Sequence, residues 1–258
     1  MTGRLVLSER TDGYAVLTLN RPEKRNAVSL ALADEFVAVL GELEDCPVIV
    51  LTGAGDKSFC AGVDLKERAG RPQTWSASFG TDRAQYWAET VDVMRRHPAV
   101  FIAAVNGFAL GGGLTLVNTA ELAVAARSAR FGMPELGFAS FPALAGPTSV
   151  HRILPKHVSE LAFLPGNIDA ERAMAIGLVN EVVDDVALMD RAREMAAAVA
   201  QYDPIALGHT KRGLRAAERL GWVDAIENGA VTAAVIKAEQ RAAKPVRASE
   251  NGHAEAVS

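Results

Sequence analysis

The chain has 258 residues, 49% of them hydrophobic and 22% charged, with a formal net charge of −4. That length suits one sizeable domain with a real core, and the composition is ordinary for a globular protein. A mildly acidic chain has no general pull toward nucleic acid or an anionic membrane, and no apolar run approaches the roughly 20 residues of a membrane span.

Residues 4–8 and 14–19 read as strands around a turn at Asp12-Gly13. Residues 29–43 read as a helix with Ser29 as its cap. Cys46 and Cys60 are too few for a disulfide framework, and Met1-Thr2-Gly3-Arg4 leads into no signal-type apolar core. A reduced, cytoplasmic setting is the expectation. Strands near 48–53 and 100–105 bracket a variable region that holds Trp75, Phe79, Tyr86 and Trp87. Residues 112–118 open a helix and 121–125 return as a strand. After Pro142 the pattern is mostly helical, over roughly 156–164, 170–176, 186–200, 204–219 and 222–241. Strands first and helices later indicate an α/β fold with a helical C-terminal part. The expected division is a core over 1–185, a helical part over 186–245 and a disordered tail over 246–258. No internal sequence repeat is visible.

Two glycine turns carry the chemical signal. The apolar run Val100-Phe101-Ile102-Ala103-Ala104-Val105 leads into Asn106-Gly107-Phe108-Ala109-Leu110-Gly111-Gly112-Gly113. Glycines where strand becomes helix let another group approach the backbone, and the first amides of a helix have no internal partner. The positive end of the helix dipole adds to this, so the place suits negative charge. A similar apolar run, Val48-Ile49-Val50-Leu51-Thr52-Gly53, precedes Ser58-Phe59-Cys60-Ala61-Gly62-Val63-Asp64. Each turn alone is equally a plain turn with no chemistry. Together they can aim two amides at one oxygen, and losing one such donor typically costs about 10²–10³ in rate.

On these residues the chain resembles the enoyl-CoA hydratase/isomerase (crotonase) superfamily. The resemblance runs through Leu17-Thr18-Leu19-Asn20-Arg21-Pro22, Asn26-Ala27, Phe59 to Asp64 and Ala103 to Gly113. It continues in Phe131-Gly132-Met133-Pro134-Glu135 and Ala175 to Asn180, and fades after about residue 225. It implies a spiral of ββα units followed by helices that pack subunits together, as a homotrimer or a dimer of trimers. It implies an acyl-CoA thioester as the substrate, with coenzyme A arriving as part of it. It implies no metal and no other cofactor.

The same resemblance implies roles for single residues. The two oxyanion donors are the amides of Val63, after Gly62, and of Gly112. Ala61 offers its carbonyl to the adenine, while Lys66, Arg25 and Ala27 border the nucleotide; for Lys66 and Arg25 a solvated side chain is the plain alternative. Hydratases of the family hold a water between two glutamates. Glu135 stands at the second of those positions, and Thr115 stands at the first. A threonine here either holds a water or bonds a carbonyl inside its helix. One carboxylate suffices to move a proton along a substrate, which points to double-bond isomerisation, with hydration as the other reaction. Phe138 and Phe141 replace a Gly-rich stretch and are expected to shape the acyl pocket. The 68–87 aromatics either line that pocket or form a satellite cluster. Asp64 is expected to cap or face solvent. Ala143 stands where the dehalogenase branch needs an aspartate, which disfavours that reaction.

Other chemistries lack their motifs. Gly53 to Ser58 has the wrong spacing for a P-loop, and Gly107 to Gly113 is not Gly-x-Gly-x-x-Gly. The histidines form no metal-ligand pattern, and no Gly-x-Ser-x-Gly elbow is present. The alternative to an enzyme is a catalytically degenerate crotonase fold that binds acyl-CoA or a protein partner.

Overall fold

Strands β1 (Val6–Arg10) and β2 (Ala15–Leu19) pair antiparallel across the Asp12-Gly13 turn, where Gly13 takes a φ of 85°. Ser29 then caps helix α1 (Leu30–Glu42), its side chain accepting from the Leu32 amide at 3.1 Å. Leu32, Phe36, Val39 and Leu40 fall on one face of that helix and are buried. The computed structural model describes residues 3–64, 67 and 86–254, with side chains as far as residue 243.

The next strands come in pairs. β3 (Val48–Gly53) is followed by β4 (Ser58–Cys60), and later by helix α2 (Tyr86–Arg96). β5 (Val100–Val105) is followed by β6 (Phe108–Leu110) and helix α3 (Gly112–Thr119). β7 (Leu122–Ala126) is followed by β8 (Arg130–Gly132). The first strand of each pair joins one sheet, of order β1-β2-β3-β5-β7-β10, and the second joins another, of order β4-β6-β8-β9. Here β9 is Ile168–Asp169 and β10 is Glu181–Val183. Within each sheet the successive repeats pair parallel, with Ile102 opposite Leu122 in the large sheet and Leu110 opposite Gly132 in the small one. This is a spiral of ββα turns, as the resemblance implies. β3 and β5 are buried along their whole length, which is why both read as unbroken apolar runs. Phe36, Phe59, Phe101 and Phe131 form the bulky, fully buried part of the core.

Short helices α4 (Ala145–Val150), α5 (Pro155–Phe163) and α6 (Ala170–Ala175) follow. Helix α7 (Leu188–Ala200) then packs on β3, β5 and β7 through its buried face of Leu188, Ala192 and Ala196. For that reason α7 belongs to the first compact unit, which ends at Gln201. The second unit is an antiparallel pair of helices, α8 (Pro204–Ala217) and α9 (Trp222–Ala254). Asp203 caps α8 and accepts from the Gln240 side chain at 3.1 Å, and His209 meets Glu239 at 2.9 Å. Helix α9 runs to Ala254. Among the described residues no helix is long and apolar enough to cross a membrane.

Two side-chain amides tie the repeats together. Asn26 is fully buried at a φ of 53°. Its oxygen accepts from the Arg21 amide at 3.0 Å, and its nitrogen donates to the carbonyls of Ala54 at 2.9 Å and Ser58 at 2.7 Å. Asn106 donates to the carbonyls of Gly53 and Gly55, both at 2.8 Å, and accepts from the Gly53 amide at 3.3 Å. Replacing Asn26 by alanine leaves three buried or part-buried backbone groups without this partner and puts alanine, which tolerates the left-handed region less well than asparagine, at the bend. We expect Asn26→Ala to lower unfolding free energy by about 3 kcal/mol or more, read from urea unfolding. A loss below about 1 kcal/mol would mean that the amide is not the staple described here.

Candidate active site

The first turn is held by the segment after the Arg25–Asn26 bend. Ala61 N–H donates to the Arg25 carbonyl at 3.0 Å, and Val28 N–H donates to the Gly62 carbonyl at 2.8 Å. Asp64 N–H donates in turn to the Val28 carbonyl at 2.9 Å. Val28 and Val63 thus form a parallel bridge in which Val28 bonds the neighbours of Val63 on either side. That pattern turns the Val63 amide to the opposite side of the strand. Gly62 takes a φ of 93°, a conformation that favours glycine.

The second turn is the start of α3. Gly111 takes a φ of 49°, and its amide donates to the Gly132 carbonyl at 3.0 Å. Gly112 is the first helical residue, so its amide lies among the groups a helix cannot satisfy internally. The two turns touch. A Cβ on Gly62 would stand 3.0 Å from the Leu110 carbonyl oxygen and 3.3 Å from the Gly112 nitrogen. A Cβ on Gly113 would overlap the Cys60 carbonyl. The close packing of these segments therefore excludes side chains. Among the described residues no acceptor meets the amide of Val63 or of Gly112. Two adjacent amides are left to bind something else.

Glu135 arrives from a third direction. It sits in the short 3-10 turn Pro134–Phe138, directly after β8. A Cβ on Gly111 would stand 2.5 Å from its Oε1, so the carboxylate lies against the residue that precedes the Gly112 amide. Its Oε2 is shielded from solvent. Thr115 is fully buried one turn into α3, and its hydroxyl donates to the Gly111 carbonyl at 3.2 Å. That is the helix-interior bond typical of threonine.

The remaining sequence candidates are placed as follows. Asp64 pairs with Arg21 at 3.3 Å and accepts from the Glu67 amide at 3.4 Å, a capping and positioning role. Ala61 and Ala27 are part-buried beside each other's segment, and the Arg25 side chain is exposed. The Ala27 carbonyl accepts from the Arg21 guanidinium at 2.5 Å. Phe138 and Phe141 are 60% and 69% exposed in the single chain, so neither ring is enclosed by it. Lys66, Trp75 and Phe79 lie outside the described residues.

Sequence reasoning passed over two contacts. Trp87 is buried, packs edge-on against Phe36 at 6.5 Å, and its indole N–H donates to the Gly112 carbonyl at 3.2 Å. The Tyr86 hydroxyl donates to the Val28 carbonyl at 3.2 Å. Their residue types gave no signal beyond aromatic clustering, because neither partner is a side chain.

Cys60 lies between the two turns but is no nucleophile. Full burial pushes its thiol up to about 12, with only a backbone hydrogen bond in opposition. It is protonated at neutral pH, and the thiol is the unreactive form. We expect Cys60 to resist a thiolate-selective reagent at pH 8 in the folded protein and to react on unfolding, as followed by peptide mass spectrometry.

Known proteins resemble this chain over most of its length. The enoyl-CoA hydratase/isomerase family profile matches residues 9–242. A short-chain-enoyl-CoA hydratase of Clostridium acetobutylicum is 34% identical over 213 residues, covering 81% of this chain and 80% of that protein. An (E)-benzylidenesuccinyl-CoA hydratase of Thauera aromatica is 36% identical over 211 residues, covering 80% of each. Among solved structures, an enoyl-CoA hydratase from Bacillus anthracis superposes with a TM-score of 0.85 at 28% identity, covering 96% of this chain and 97% of that one.

Proposed function

Because the chain belongs to the enoyl-CoA hydratase/isomerase family, we propose that it transfers a proton on the acyl group of an enoyl-CoA, with Glu135 as the proton carrier. One observation carries this: the Glu135 carboxylate lies against Gly111, beside the unsatisfied amide of Gly112. The thioester oxygen accepts from the amides of Val63 and Gly112. Negative charge that develops on it as the enolate forms is met by donors already in place. Glu135 removes a proton from the α-carbon of a β,γ-unsaturated thioester. The electron pair delocalises through the double bond to the oxygen, and Glu135 returns the proton to the γ-carbon. The product is the α,β-unsaturated thioester. This reaction moves only a proton, so no cofactor is required beyond the coenzyme A of the substrate. Ala61, Lys66, Arg25 and Ala27 border that coenzyme.

Hydration is the second reaction, favoured by the activities named for the relatives. It needs a held water as well as a proton carrier. Thr115, whose hydroxyl is used inside α3, supports isomerisation over hydration. We expect Glu135→Gln to lower turnover of enoyl-CoA by about 10²–10⁴, with acyl-CoA affinity largely kept. Thr115→Ala should leave isomerisation nearly unchanged. Thr115→Glu, by adding the second carboxylate, should raise hydration relative to isomerisation. Full activity in Glu135→Gln would assign the chemistry to another group. Acyl-CoA binding by the unmodified protein without turnover of any 2- or 3-enoyl-CoA would support a binding module instead.

The proposed assembly is a homotrimer or a dimer of trimers. The second unit leaves Leu214, Trp222, Val223, Ile226 and Val231 exposed, more apolar surface than a pair of helices keeps bare in water. Sedimentation at micromolar concentration should show a trimer or hexamer, and a stable monomer would refute this.

A further inference from the structure

The two donor segments share one support. Tyr86 and Trp87 both lie on helix α2, and each reaches a different turn of the site. The Trp87 indole donates to the Gly112 carbonyl at 3.2 Å, and a Cβ on Gly112 would stand 2.7 Å from the indole nitrogen. The Tyr86 hydroxyl donates at 3.2 Å to the Val28 carbonyl, the same oxygen that accepts the Asp64 amide next to Val63. Phe36 of α1 packs edge-on against Trp87 and fixes its plane.

We propose that Tyr86 and Trp87 are positioning residues which hold the Val63 and Gly112 amides at their working separation. The inference rests on the acyl-CoA reading above. The physical need is specific. Gly111, Gly112 and Gly113 have no Cβ to restrict their torsions, and Gly62 has none either. A site built from such residues has little rigidity of its own. An oxyanion hole acts through preorganisation, so its donors must not rearrange as charge develops. A rigid indole on one turn and a phenol on the other supply that restraint from a single helix. Neither side chain need touch substrate to do so.

The test uses Tyr86→Phe, Trp87→Phe and the double variant. Each change keeps an aromatic ring and removes the donor. Three readouts are compared with the unmodified protein: turnover of crotonyl-CoA or its 3-enoyl isomer, affinity for butyryl-CoA, and the fraction of bound acetoacetyl-CoA present as enolate, from its near-ultraviolet absorbance. A misplacement of donors costs up to about 100-fold. We expect kcat and the enolate ratio to fall about tenfold in each single variant and further in the double, while butyryl-CoA affinity stays within about twofold. Unchanged enolate ratio and kcat would overturn the inference. So would a parallel loss of butyryl-CoA affinity, since that marks general loosening of the site. Tyr86→Phe removes one oxygen from a part-buried ring and decides the matter alone if Trp87→Phe fails to fold. Failure of the acyl-CoA reading looks different: the unmodified protein would neither bind butyryl-CoA nor ionise acetoacetyl-CoA.

Discussion

Main chain meets main chain at Gly62, Gly112 and Gly113, and the site depends on that approach. The Cys60 carbonyl fills the space a side chain on Gly113 would need, and the Gly112 nitrogen borders the space beside Gly62. Such contact follows where strands of neighbouring repeats run side by side and parallel, as β4 and β6 do, with the register shifting between Ser58 and Cys60. It also requires that the loops leading there be fixed from behind. Asn26 and Asn106 do this by satisfying carbonyls of the 53–58 loop that have no strand partner on that side.

The spiral explains how three chemical parts converge. Each repeat sends one strand to the large sheet and the next to the small sheet, then turns. Val63 follows the small-sheet strand of one repeat, Gly112 follows that of the next, and Glu135 follows that of the one after. Equivalent positions in successive repeats are stacked neighbours. The same geometric step therefore delivers a donor, a donor and a carboxylate to one place. No repeat is visible in the amino-acid sequence, because the three turns have been put to different uses.

Much of this was legible beforehand. The buried strands β3 and β5 were readable to their end residues because both faces are apolar, and the Ser29 cap marked α1. The two glycine turns announced a place where backbone is approached closely. The small-sheet strands were not legible. β4, β6 and β8 span three residues each, too few for any period to show. Ala192 and Ala196 of α7 are small, so that the helix can lie close on the sheet. Thr115 could be read as a water holder or as a backbone bonder, and only its placement under Gly111 separates the two. The roles of Tyr86 and Trp87 were invisible for a general reason. A side chain that serves a backbone carbonyl leaves no complementary residue elsewhere to be found.

In the proposed reaction Val63 and Gly112 take part through their peptide groups, and this divides the site by how readily heredity can alter it. No codon change deletes an amide hydrogen, short of introducing proline. Changes at Val63 alter the bulk beside the donor and leave the donor in place. Glu135 and Thr115 contribute side chains, and each is one substitution from a different acid–base complement. On that proposal, a lineage built this way can exchange one reaction for another, or lose turnover altogether, while its pair of adjacent amides is inherited intact.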